Sequence, residues 1–167
     1  MASKQDFTQD EWTKLLESTL AVGAAISAAD PSGLWGTFQE FLANSGALDS
    51  SKLGPDANEL VRAVVADFET EEGRTEVRTA LHKRFDGAMD PADCVRRSLD
   101  SLRGVSAILD AKAPRDATAF KTWLCSIGQK VAEAAVEGGF FGFGGVRVSK
   151  AEAATLDDIT KVLGLTA

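Results

Sequence analysis

The stretch Thr8-Gln9-Asp10-Glu11-Trp12, with Leu15, Leu16, Leu20, Gly23 and Ile26 behind it, decides the fold class. Thr8 and Glu11 have the spacing of a capping box, in which the hydroxyl accepts from the Glu11 amide and the Glu11 carboxylate reaches back to the Thr8 amide. Phe7 and Trp12 flank the box at the two positions of a hydrophobic staple. The apolar residues that follow recur at helical spacing, and Asp30-Pro31 stops the helix. The portion from Leu20 to Ala29 is mostly alanine, with Gly23 and Ser27, and reads as a closely packed helix.

The same punctuation continues along the chain. A second helix is expected from Ser32, presenting Leu34, Trp35, Phe38, Phe41 and Leu42, with Gly46 as its C′ residue. After a loop from Ala47 to Gly54, Pro55 suits the first turn of a third helix that buries Leu60, Val61, Val64, Val65 and Phe68. A fourth spans Glu71 to Phe85, with Gly73 near its start counting against it. Asp90-Pro91 reads as a cap followed by a first helical position, opening a fifth helix with Val95, Leu99, Leu102, Val105, Ile108 and Leu109. Pro114 separates it from a sixth, carrying Phe120, Trp123, Leu124, Ile127 and Val131. Ser149-Lys150-Ala151-Glu152 is a second capping box, opening a last helix over 149–163. The expectation is an all-α single domain over residues 1–167, a bundle of about seven amphipathic helices with short connections. Trp12, Leu16, Phe38, Val64, Leu102, Trp123 and Ile127 are expected in its core.

Composition narrows the chemistry. Hydrophobic residues make up 44% and charged residues 26%, as in ordinary globular domains. Net charge is −7, unevenly spread: residues 1–72 carry 4 basic and 13 acidic groups, residues 73–103 carry 7 and 5. An acidic surface argues against nucleic acid as a partner. No run reaches the ~20 apolar residues of a membrane span, and the polar start lacks a signal peptide, so a cytoplasmic protein is expected. Cys94 and Cys125 are too few for a disulfide framework and read as buried thiols. His82 is the sole histidine; it lies beside Lys83 and Arg84 on the solvent side of a helix, so no histidine-based catalytic or metal centre is expected. Glu71-Glu72 and Asp157-Asp158 are adjacent on helices and do not face each other. Arg96, Arg97, Arg103, Lys83 and Arg84 are expected to pair with Asp93, Asp100 or the acidic first half of the chain.

One segment is not explained by helix formation. Residues 138–148 hold Gly138, Gly139, Phe140, Phe141, Gly142, Phe143, Gly144, Gly145 and Arg147. Glycine loses the most backbone freedom on folding, and phenylalanine in a loop must be covered. Three readings follow: the phenylalanines plug the chain's own core; they form an aromatic tip that docks a partner protein; or the glycine amides, Arg147 and the helix start at Ser149 cradle an anion. The sequence Gly142-Phe143-Gly144 is neither a Walker loop nor a dinucleotide fingerprint. The candidate site is therefore Phe140, Phe141, Phe143, Gly144, Gly145, Arg147 and Ser149, with no catalytic residue, no metal ligand and no cofactor.

The run Gly145-Val146-Arg147-Val148-Ser149-Lys150-Ala151-Glu152, with Leu156, Ile159 and Leu163-Gly164, resembles the end of tellurite-resistance TerB-like helical domains. The resemblance covers about 20 residues. Ala29-Asp30-Pro31-Ser32-Gly33 resembles all-helical bacterial proteins. The resemblance implies an all-helical fold, a bacterial source, divalent-metal binding through acidic residues and a part in stress-related complexes. No metal ligand is carried over, since an acidic residue before the glycine turn is missing. The functional expectation is a non-catalytic interaction protein acting through the Phe/Gly loop or an apolar helix face, on a protein partner or as a homodimer. The alternative is a small-ligand, anion or divalent-metal-binding helical domain.

Overall fold

The computed structural model describes residues 1–29, 57–86, 90–137 and 148–165. The expected second helix with Phe38, the loop before Gly54, Pro55 and six of the seven candidate site residues lie outside them. Among the described residues a 3-10 turn, Lys4–Asp6, precedes six α-helices: α1 Gln9–Ala29, α2 Glu59–Glu69, α3 Glu71–Phe85, α4 Pro91–Lys112, α5 Pro114–Glu137 and α6 Lys150–Val162. The described residues contain no strand.

The helix starts follow the sequence signals. The Thr8 amide donates to Glu11 Oε2 at 2.7 Å and the Glu11 amide to Thr8 Oγ1 at 3.3 Å. Phe7 and Trp12 meet with ring centroids 5.8 Å apart. Asp90 accepts from the Ala92 amide at 3.0 Å, with Pro91 in the first helical position. Ser149 and Glu152 form the second box, their amide bonds 3.2 and 2.8 Å long. At α2 the observed start is Glu59, not Pro55: Asn58 is the cap, accepting from the Val61 amide at 2.9 Å, because an asparagine carbonyl can satisfy an orphan amide and a proline cannot.

α1 is the axis of the fold. It contacts all five other described helices, α4 most extensively. From Leu15 to Ala28 every residue is buried, so the single apolar stripe expected from spacing is here a helix covered on all sides. Its alanines keep the cylinder thin enough for neighbours to approach. Two of its polar positions are satisfied locally: Ser18 and Thr19 donate to the carbonyls of Leu15 and Leu16 at 2.7 and 2.8 Å. α5 and α6 close on the same axis at Gly128, where an added Cβ would stand 3.0 Å from both Val22 Cγ1 and Leu156 Cδ2.

Two expected core residues are corrected. Trp123 and Ile127 are half-buried. Phe120 takes the inward place, fully buried, and Trp123 stacks edge-on against it at 5.3 Å; Gly128 rather than Ile127 makes the close approach to α1. α4 is likewise rotated from its apolar stripe. Ser98, Ser101 and Ser106 are buried while Val95, Leu99 and Ile108 are only partly so, because small side chains suit the tight contact with α1.

α4 carries a glycine with no such duty. Gly104 is exposed in mid-helix and a Cβ there meets nothing within 4 Å. Gly104→Ala is expected to raise stability by about 0.5–1 kcal/mol through lost freedom of the unfolded chain, seen as a higher urea midpoint at unchanged slope.

Candidate functional site

Of the seven candidate site residues the structure describes Ser149. It is the N-cap of α6, and its hydroxyl accepts the Glu152 amide. Glu152 answers with Oε2 on the Ser149 amide. The Glu152 side chain is buried, 3% exposed, and its Oε1 has no hydrogen-bond partner among the described residues. Phe140, Phe141, Phe143, Gly144, Gly145 and Arg147 lie outside the described residues. The helices on either side of them, α5 and α6, pack on each other through Gly128 and Leu156.

The structure also reveals polar groups that no local spacing announces. Glu17 of α1 is buried and paired with Arg84 of α3: Arg84 Nε donates to Oε1, and Nη2 to Oε2 at 3.2 Å. Ser101 of α4 adds a long contact to Oε1 at 3.5 Å. Asp67 of α2 accepts from Trp12 Nε1 at 2.6 Å and from Lys4 Nζ at 2.9 Å. Asp116 of α5 is buried and accepts from the Ala2 amide at 2.7 Å and from Asn58 Nδ2 at 3.3 Å. Lys121 of α5, itself buried, reaches Asp110 at 2.6 Å.

These contacts tie helix to helix, while the arginines of α4 pair mostly within their own helix. Arg96 pairs with Asp93 and with Asp100, Arg97 with Asp93 at 2.7 Å, and Arg103 with Asp100 at 2.6 Å. Arg97 also donates to the Arg84 and Asp86 carbonyls at the end of α3, where a cation complements the helix dipole. The expectation of pairing within the chain holds for these arginines. His82 is exposed, as expected.

Electrostatics at the cysteines and caps follows from these surroundings. Burial pushes the Cys94 and Cys125 thiols up, keeping them protonated near neutrality. Cys125 Sγ lies 3.8 Å from Thr160 Oγ1 across the α5–α6 contact. Lys112 and the Thr8 amide hold the Glu11 carboxyl below the usual range, and Arg96 does the same for Asp93. The stabilisation from both is present near neutral pH and is lost as pH falls through these lowered values.

Among the described residues no three His, Cys, Asp or Glu side chains converge as a metal ion would require, and no helix is long and apolar enough to cross a membrane. Compared with family models, curated proteins and solved structures, the chain matches none.

Proposed function

We propose that this protein is a non-catalytic interaction module, with the Phe/Gly-rich segment 138–148 as its docking element for a protein partner. The observation that carries the reading is how three buried ionisable side chains of the helices are used. Glu17 is held by Arg84, Asp116 by Ala2 and Asn58, and Lys121 by Asp110. Groups fixed in such pairs brace the bundle and have little freedom to move protons or attack a substrate. The three phenylalanines between α5 and α6 are then the natural source of binding energy, since aromatic anchors dominate protein interfaces. The TerB-like run after Gly145 fits a role within a complex.

The test is the triple substitution Phe140→Ser, Phe141→Ser and Phe143→Ser. Helix content should be unchanged and the melting temperature should stay within about 3 °C of the parent. Proteins crosslinked to the parent in its own cells should be lost from the variant. A fall of about 10 °C or more would instead make the phenylalanines part of this chain's own core and end the docking reading.

A further inference from the structure

Residue 2 is packed as a core residue is, although it stands ahead of the first helix. Ala2 is 9% exposed, and its backbone nitrogen lies 2.7 Å from Asp116 Oδ2 of α5. The arm that carries it is fastened further along. Lys4 reaches Asp67 at 2.9 Å and stands 5.8 Å from the centre of the Trp12 ring. Phe7 is buried against the same ring. Met1 differs from the rest of the arm. It is 73% exposed, the one exposed large hydrophobic among the described residues.

Asp116 is unlike the other buried ionisable groups. Glu17 has the Arg84 guanidinium, and Lys121 has the Asp110 carboxylate. Glu152 closes the capping box of its own helix. Asp116 is 4% exposed and makes no ion pair among the described residues. Its side chain receives the Ala2 amide and, at 3.3 Å, the Asn58 carboxamide; both donors are neutral. Its place in the first turn of α5 lets the helix dipole offset part of the cost of burial. A buried carboxylate still calls for a counter-charge. The atom placed to supply one is the Ala2 nitrogen, which is cationic only when no residue is bonded ahead of it.

We propose that the Met1–Ala2 peptide bond is a processing site, and that the Ala2 ammonium released there is the counter-ion of Asp116. Water adds across the bond. The carbon–nitrogen bond breaks, the Met1 carbonyl carbon takes the water oxygen and leaves as a carboxylate, and both water protons end on the Ala2 nitrogen. The enzyme class this fits is a peptidase that removes a methionine from in front of a small residue. The folded protein spends the Ala2 nitrogen on Asp116, so the cut precedes docking of the arm, while the bond is still in a loose terminus. Loss of Met1 removes no buried side chain. What it changes is the contact at Asp116, where a neutral donor becomes an ion pair in a site nearly closed to water.

Intact mass and N-terminal sequencing of the protein from its own cells test the cut. Ala2 should be the first residue; any other first residue overturns the proposal. The pairing is read by acylating the amine of the folded protein near neutral pH. Acylation needs the free amine, and a carboxylate partner holds the nitrogen protonated, so Ala2 should react about tenfold or more slowly than in Asp116→Asn. Asp116→Ser, an uncharged residue suited to a helix start, takes its place if the asparagine variant does not fold. Equal rates in parent and variant overturn the pairing. Stability gives an independent reading. Asp116→Asn should lower the urea midpoint of the chain that starts at Ala2. It should leave nearly unchanged the chain that keeps Met1, made with methionine trimming inhibited, because asparagine still accepts a neutral amide. The same loss in both forms overturns the ion pair.

Discussion

Gly73→Ala is expected to destabilise the protein by about 2 kcal/mol or more, against the helix scale, which favours alanine by about 1 kcal/mol. The reason lies in how α2 joins α3. Thr70 alone separates them, serving as the end of one helix and the cap of the next. Its amide donates to the Asp67 carbonyl at 3.0 Å, its hydroxyl donates to the same oxygen at 2.6 Å, and the hydroxyl also accepts from the Gly73 amide at 3.0 Å. This folds the last turn of α2 over Gly73. A Cβ there would lie 2.1 Å from the Asp67 carbonyl oxygen and 2.8 Å from its carbon. Those are backbone atoms, so no rotamer relieves the clash; the helices must part. Urea titration beside Gly104→Ala gives the comparison: the same chemical change should lower the midpoint at 73 and raise it at 104. A midpoint at or above the parent's for Gly73→Ala would mean that the junction yields freely.

Arg84→Ala should cost about 3 kcal/mol, because it leaves the buried Glu17 carboxylate without its counter-charge. The Glu17 side chain is 4% exposed and that of Arg84 is 26%, so the carboxylate has little water of its own and relies on the guanidinium. What remains is Ser101 Oγ at 3.5 Å, at the limit of a hydrogen bond. Replacing both partners, Glu17→Met with Arg84→Met, should recover most of the loss, since it removes the charge and its desolvation together. Chemical denaturation of the single and double variants decides this. If Arg84→Ala alone cost under about 0.5 kcal/mol, the pair would behave as an ordinary surface bridge.

The sequence was most readable at helix starts. Thr8, Asp90 and Ser149 cap as their spacing with Glu11, Pro91 and Glu152 predicts, because capping depends on residues within one turn of each other. Gly73 was visible but misjudged: helix propensity counts it as a weakness, while its use is to admit the Asp67 carbonyl from a different helix. The complete burial of α1 was half legible. Alanine and serine between Leu20 and Ala28 marked close packing, but no periodicity shows how many neighbours will close in. The same blindness turned α4 by a position, since Ser98 and Ser101 do not register as apolar. Glu17 with Arg84, and Trp12 with Asp67, are separated by 67 and 55 residues and share no local pattern, so only the assembled bundle reveals them. Of the candidate site, Ser149 was legible as a cap, and Glu152 as its companion; the burial of Glu152 and its unpartnered oxygen depend on neighbours that spacing does not encode.

The position of α1 at the centre also bears on how the chain is made. Ribosomes deliver this helix before every partner that covers it. Its main neighbour, α4, begins at Pro91, and Ser101, which touches Glu17, is 84 residues downstream. Until those residues emerge, an apolar run from Leu15 to Ala28 is without most of its shelter. Such non-local contacts slow folding even in an all-helical protein, where helices themselves form quickly. An emerging chain thus exposes much of this helix until its later partners arrive, and apolar surface left open in that interval favours aggregation.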